Sequence, residues 1–258
     1  MQSKRWGILA VVCALAVGTA VTIPARAQEA KEKPPMYTYV TNWTLPRAQW
    51  ADMEKNNNVD DKVLEKAMAD GTIVGYGSDL NIVHTVDGAT HDNWWSAMSM
   101  AGLLNVLDHF YKSGNATVPV LSAATKHWDD IFVTTHYNWH SGSFKGAYTR
   151  GSYYKLKADA PPNAVDTLAN GVFVPLLEKL LSDGAILEYE VDTEAIHTDD
   201  PGSIFVAVIA ANADGLDKFN AAVKELGKTN PMTGPGFSSM VDFSAHRDEL
   251  FSSVGTYK

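Results

Sequence analysis

Residues 64–85, LEKAMADGTIVGYGSDLNIVHT, and residues 177–198, LEKLLSDGAILEYEVDTEAIHT, share ten identities in 22 aligned positions without a gap. Chance does not produce that agreement within one chain, so the sequence reads as an internal duplication. The likeness runs on beyond the motif. WWSAMSM from Trp94 lies over the apolar FVAVIAA from Phe205, and GLLNVLDHF from Gly102 lies over GLDKFNAAV from Gly215. Even a polar interruption ahead of the motif recurs, as Asn56, Asn57 and Asn58 in one copy and as Asn170 and Gly171 in the other.

Each copy is read by its period. Residues 37–43 are rich in β-formers, and Thr44 with Pro46 opens a helix, proline being tolerated in a first turn. The helical pattern resumes at Val59, Val63, Leu64, Ala67 and Met68 and stops at Asp70 and Gly71, where glycine supplies a left-handed cap. Residues 72–85 and 93–100 read as strands around a turn at 87–93. Leu103, Leu104, Leu107, Phe110 and Tyr111 then share one helical face. The second copy repeats the order, with a helix over 163–182 kinked at Pro175, strands at 185–196 and 204–211, and a helix carrying Leu216, Phe219, Val223 and Leu226. Both copies read β-α-β-β-α with a candidate closing strand after each, which is the split βαβ, or ferredoxin-like, unit. A four-stranded sheet with helices on one face leaves the other face bare, and two copies cover one another by packing those faces together.

At this level the chain resembles the dimeric α+β barrel superfamily, in which two ferredoxin-like units, in one chain or two, pack sheet against sheet. The resemblance covers about residues 36–258 and rests on the element order and the repeat. It implies an α+β chain of two tandem ferredoxin-like (βαββαβ) repeats forming a pseudo-dimeric α+β barrel, with residues 36–126 as the first repeat and its linker and 127–258 as the second. The superfamily includes small cofactor-free monooxygenases, stress-responsive barrels and haem proteins such as chlorite dismutases and dye-decolourising peroxidases. Three functions follow as expectations: small-molecule binding in the cleft between the repeats; an enzyme, cofactor-free and oxygenase-like or dependent on haem, with a histidine as base or axial ligand; and a structural module that self-associates through exposed sheet edges. No residue signature of these enzymes is present, so no catalytic residue is carried over.

The first residues, MQSKRWGILAVVCALAVGTAVTIPARAQEA, place Lys4 and Arg5 before an apolar run and end it in Ala25-Arg26-Ala27, a small-x-small cleavage site. The segment 1–27 therefore reads as a signal peptide, followed by a disordered linker over 28–35, and the mature protein is expected in the periplasm or outside the cell. The single cysteine, Cys13, falls inside the leader, so the mature chain has no thiol to form a disulfide, hold a metal or act as a nucleophile. The full chain carries −9 charges and the leader three cations without an acid, which leaves −9 − 3 = −12. Nucleic acid and anionic membranes, both bound through clustered Lys and Arg, are not expected partners.

Candidate chemistry centres on HYNWHSG, residues 136–142. We read 130–140 and 147–157 as two strands joined around Ser141, Gly142 and Ser143. In a straight strand His136, Asn138 and His140 share a face, but the two histidines sit about 13 Å apart along it, too far to share a zinc ion at bonds of ~2.0 Å. No metal site is expected. One reading has these three side chains project into the space between the sheets as polar groups of an apolar ligand pocket, joined by Tyr148, Arg150 and Tyr154 from the next strand. The other has them line the solvent side of a curved hairpin. His84 and His197 occupy equivalent places, each followed by Thr, and fit either hydrogen bonding at a strand end or a pseudo-symmetric ligand pair; His91 and Asp92 lie close to His84 in sequence. Adjacent Trp94 and Trp95 must face opposite ways on a strand, so one of them is available to line a cavity. FSAHRDEL, residues 243–250, contains a kinase-like His-Arg-Asp without a glycine-rich loop and reads as a charged helix. Metalloprotease, nucleophile-elbow, phosphate-loop and dinucleotide motifs are absent from the sequence.

Overall fold

The structure, a computed structural model, describes residues 33–197 and 202–258. The leader expected over 1–27 lies outside the described residues. Of the expected linker, the last residues are held in place: the Tyr137 hydroxyl donates to the Pro34 carbonyl, and the Lys33 ammonium lies over the Tyr137 ring.

Eight strands close into one antiparallel barrel. In chain order they are β1 (Met36–Thr44), β2 (Gly75–Asn81), β3 (His91–Ala97), β4 (Lys126–Trp139), β5 (Gly142–Leu156), β6 (Ile186–Glu194), β7 (Ser203–Ala210) and β8 (Val241–Tyr257). Around the barrel they run β1-β3-β2-β8-β5-β7-β6-β4, and β4 closes on β1. The first four strands are neighbours in the order β4-β1-β3-β2, and the last four in the order β8-β5-β7-β6. Two seams join these sets: β2 to β8, and β4 to β6 with a register shift between Val133 and His136. Pairing at both seams leaves no exposed edge in the sheet, and an open edge is the feature that invites aggregation.

Two readings of local structure are corrected and a third is refined. The strands on either side of Ser141 follow one another without pairing, since β4 lies between β1 and β6 while β5 lies between β7 and β8. Each completes the sheet of its own half, so the turn passes from one half to the other and no hairpin forms. Residues 243–250, expected as a helix, belong to β8, the longest strand; their charges lie where that strand is exposed. The second-half helix changes its winding directly ahead of Pro175. It runs as α4 (Ala164–Leu168), a π turn at Ala169–Phe173 and α5 (Val174–Ser182), and the Gly171 carbonyl, four residues before the proline that has no N–H to offer, accepts from the Asn230 amide instead.

The helices lie outside the barrel. The first half contributes α1 (Trp50–Ala69), α2 (Met100–Ser113) and α3 (Pro119–Ser122). The second adds α6 (Ala213–Thr229) and α7 (Pro235–Met240) to α4 and α5. α2 and α6 start alike: Ser99 accepts from the Gly102 N–H and Asn212 from the Gly215 N–H, the N-cap arrangement. A Cβ on Gly102 would fall 2.6 Å from the Thr72 carbonyl oxygen, and one on Gly215 2.3 Å from that of Ala185, so each helix crosses a backbone that only glycine allows so near. At the β2–β8 seam Gly77 pairs with Gly255. A Cβ on Gly77 would meet the Trp94 ring at 2.5 Å, and one on Gly255 the Phe144 ring at 2.6 Å.

Both faces of the sheet are covered. Alternate residues point outward under the helices, as Tyr39, Trp95 and Tyr76 do in the first half and Tyr189, Val191, Val206 and Val208 in the second. The others point into the barrel.

Candidate functional site

A cavity lies within the first half, between α1, α2, α3 and the outer face of β1 and β3, and not between the halves. Its volume is about 460 Å³. Tyr39, Thr41 and Trp43 reach it from β1, Asn93 and Trp95 from β3, and Leu107 and Phe110 from α2. Trp43 stacks flat on His127, ring centroids 3.7 Å apart, and Tyr39 stacks on Trp95 at 4.4 Å, which makes much of the wall aromatic. Size and lining are those of a small-molecule site.

One acid faces it. Asp60, on α1, accepts from the Asn56 amide at 2.7 Å through one oxygen and from the Asn115 amide at 3.3 Å through the other. Burial pushes its carboxyl up from the ordinary 3.8 to about 6, against the pull of the two amides and with a small push from Asp61. An acid in that range changes protonation close to neutrality, the property required of a general base. The Asn93 amide donates to the Asn57 side-chain oxygen at 3.0 Å, tying β3 to α1 beside the site, while Asn56 lines the cavity and Asn58 is exposed.

In the second half the corresponding positions are filled, and the sequence shows why. Carrying the alignment of 64–85 with 177–198 back by four residues sets Asp60 against Phe173, and the alignment of Trp94 with Phe205 sets Asn93 against Ile204. Phe173 and Ile204 are buried, and Phe173 packs on Tyr154 and Phe237 in a continuous core. Smaller polar groups in the first half leave the space that these side chains fill in the second. The contrast was present in the repeat, and comparison of the two copies position by position would have found Asp60.

The residues singled out from sequence lie elsewhere. His136, Asn138 and His140 do share a face, but it is the outer one, under the second-half helices. His136 Nε2 lies 3.2 Å from Asp166, the Asn138 amide donates to both oxygens of Glu178, and His140 Nε2 donates to the Leu181 carbonyl at 2.9 Å. They stitch β4 to α4 and α5 and do not enter the space between the halves. Tyr148, Arg150 and Tyr154 share the outer face of β5 as the period required. Arg150 donates to Asn220 and Asp248, and Tyr154 stacks on His246. His84 is exposed beside Trp50, which His91 also touches, while Asp92 points into the barrel. Burial lowers His91 to about 4. His197 is exposed beyond the end of β6. Trp94 points inward against Tyr257, and Trp95 outward, its indole N–H donating to the Leu103 carbonyl.

The inside of the barrel is acidic. β6 turns Glu188, Glu190, Asp192 and Glu194 inward at every second position, and Asp79 and Asp92 face one another from β2 and β3. Thr38 donates to Glu190 at 2.9 Å and the Asn42 amide to Asp130 at 2.9 Å. Burial, reinforced by neighbouring acids, holds Asp92, Glu188 and Asp192 well above the carboxylate range; burial places Asp79 at about 6 and Glu190 at about 7. Among the described residues no three acids or imidazoles are grouped to hold a metal ion.

The residues of the outer cavity do not fit a haem. Its one lining imidazole, His127, lies flat on Trp43 with Nδ1 3.0 Å from the Asn42 carbonyl and Nε2 3.5 Å from Asp129. Its one lining cation, Lys126, is paired with Asp87. No axial nitrogen faces the space and no unpaired cation lines it to take a propionate.

Neither a family model nor a curated protein matches the sequence. Solved structures do match in fold. A candidate monooxygenase from Fusobacterium nucleatum superposes with a TM-score of 0.65 at 9% identity, over 88% of this chain and 95% of that one. Another, from Lactobacillus acidophilus, gives 0.59 at 12% identity over 86% and 94%, and an anthrone oxidase-like protein gives 0.50 at 10% over 88% and 94%. The chain has the fold of the dimeric α+β barrel superfamily.

Proposed function

We propose that the chain is an enzyme of the cofactor-free oxygenase kind, acting on a small aromatic carbon acid held in the outer cavity of the first half, with Asp60 as general base. The observation that carries this reading is a carboxylate with a pKa of about 6 in an aromatic-lined space of about 460 Å³ that the other half fills with Phe173. The names of the similar structures, monooxygenases and an anthrone oxidase-like protein, point the same way. In the proposed step an activated methylene gives its proton to Asp60. The carbanion, delocalised into its ring and flanked by Trp43, Tyr39 and Trp95, reduces dioxygen. The sum is R₂CH₂ + O₂ → R₂C=O + H₂O, and Asp60 gives its proton to the water formed.

Asp60→Phe places in the first half the side chain that closes the second. Anthrone, titrated against wild type with tryptophan fluorescence as the readout, is expected to quench saturably and to consume oxygen, and the variant is expected to bind at least tenfold more weakly with an unchanged circular dichroism spectrum. Equal binding by the two proteins would remove the site. Saturable binding without oxygen uptake would leave a small-molecule binding protein using the same cavity.

Two further elements belong to this proposal. The strand orders β4-β1-β3-β2 and β8-β5-β7-β6, together with the ten shared identities, support a tandem pair of ferredoxin-like repeats. The leader pattern of residues 1–27 supports export, and N-terminal sequencing of the secreted chain is expected to begin at Gln28.

A further inference from the structure

The barrel interior carries an inference independent of the outer cavity. Asp192, 1% exposed, meets no donor other than a proton shared with Glu190, and Glu188, also 1% exposed, leaves Oε1 without a partner. Both line an internal cavity of about 60 Å³. The space exceeds the ~10–15 Å³ needed to admit a water. Buried carboxylates are retained where something compensates them, a proton, a donor or a cation. Protons answer part of this need, since the acids titrate upward. They do not account for a set of acids placed one after another along one strand.

The spacing decides what kind of cation fits. Acids at every second position of β6 stand ~6.6 Å apart, so Glu188 and Asp192 are ~13 Å apart along the strand. A single hard metal ion needs its oxygens within ~2.0–2.6 Å, and this row does not close on one point, in keeping with the lack of a grouped triad among the described residues. A linear molecule with ammonium groups several bonds apart would meet successive carboxylates in turn. The walls between the acids suit its methylenes and its charge: Trp94, Tyr153, Phe205 and Tyr257 line the same cavity. The chain places a cation of its own on this surface at one mouth, where the Arg247 guanidinium stands 3.7 Å from the centroid of the Tyr153 ring.

We propose that the barrel interior binds a linear alkyl-diammonium or polyamine cation, its ammonium groups paired with Glu188 and Asp192 and its methylenes lying against the aromatic wall.

The test uses the mature protein at pH 8, with 1,8-diaminooctane and spermidine as probes, by calorimetric titration and thermal denaturation, against NaCl at equal ionic strength and against CaCl₂ and MgCl₂. Saturable binding of an amine with a rise in Tm is expected, and Asp192→Asn and Glu188→Gln are each expected to weaken it at least tenfold. Using both amides keeps the test decisive if one variant fails to fold. Binding that persists unchanged in both would be surface attraction to a mature chain of net charge −9 − 3 = −12 and would overturn the proposal. So would the absence of saturable binding, or saturation by Ca²⁺ or Mg²⁺ alone. Asp60→Phe is expected to leave amine binding intact, which separates failure here from failure at the outer cavity.

Discussion

Asparagine in place of Asp60 is expected to lower turnover of an aromatic carbon acid by about 100-fold or more while leaving its affinity within a few-fold of wild type. The substitution preserves shape and an amide-compatible environment, because Asn56 and Asn115 already surround the position. It removes the basic lone pair, and general base catalysis by a positioned side chain contributes roughly 10²–10⁴-fold. The pH profile supplies a signature that a structural role would not produce. Wild-type kcat/KM is expected to fall on the acid side through an apparent pKa of about 6, the value to which burial brings Asp60, and the residual activity of the variant is expected to lack that limb. Asn115→Ala takes away one of the two bonds that hold the carboxylate down, so its limb is expected to move upward. Turnover within threefold of wild type in Asp60→Asn would end Asp60's role as base, whatever the cavity binds.

The duplication was legible because the copies kept the residues that punctuate the fold: the Asp-Gly pairs at 70–71 and 183–184, the buried leucines at 64 and 177, and the glycines at 102 and 215. Which side of each strand faces which surface was not legible. Period-two alternation assigns His136, Asn138 and His140 to one face, but in a closed barrel wrapped by helices both faces are covered, and alternation carries no sign for inside or outside. The same ambiguity hid the acids of LEYEVDTE, since a row of alternating carboxylates reads as a solvated face in an open sheet. Closure at the β2–β8 and β4–β6 seams turns that face inward. Residues 243–250 were misread for a related reason: their charges cluster where β8 is exposed, while the apolar alternation that marks the strand begins at Phe251.

That enclosed acidity fixes the direction in which stability responds to pH. The fold is expected to be more stable at pH 5 than at pH 8, the reverse of a protein held together by ionised carboxylates. Asp79 has a folded pKa of about 6 against an ordinary 3.8, and Glu190 about 7 against 4.5, burial being the main cause for both. Between those limits the native state keeps protons that the unfolded chain releases, so the unfolding free energy decreases as pH rises, at ~1.4 kcal/mol per unit for each group. The contribution is complete below about pH 4 and is lost as pH passes first 6 and then 7. For these two acids the difference between pH 5 and pH 8 is on the order of 4 kcal/mol, or roughly 8–16 °C in Tm for a chain of this size. Asp92, Glu188 and Asp192 are shifted the same way and extend the trend to higher pH. Thermal scans across that range measure it, and Glu190→Gln is expected to raise Tm at pH 8, leave it little changed at pH 5, and flatten the slope. A Tm that is flat or rising from pH 5 to pH 8 would mean that the acids are already neutralised by something other than protons. Saturating diamine is expected to produce that flattening in wild type, because a cation held between Glu188 and Asp192 stabilises the ionised state that high pH imposes. Proton and cation thus compete for one set of carboxylates, and the change in pH slope with added amine reads that competition directly.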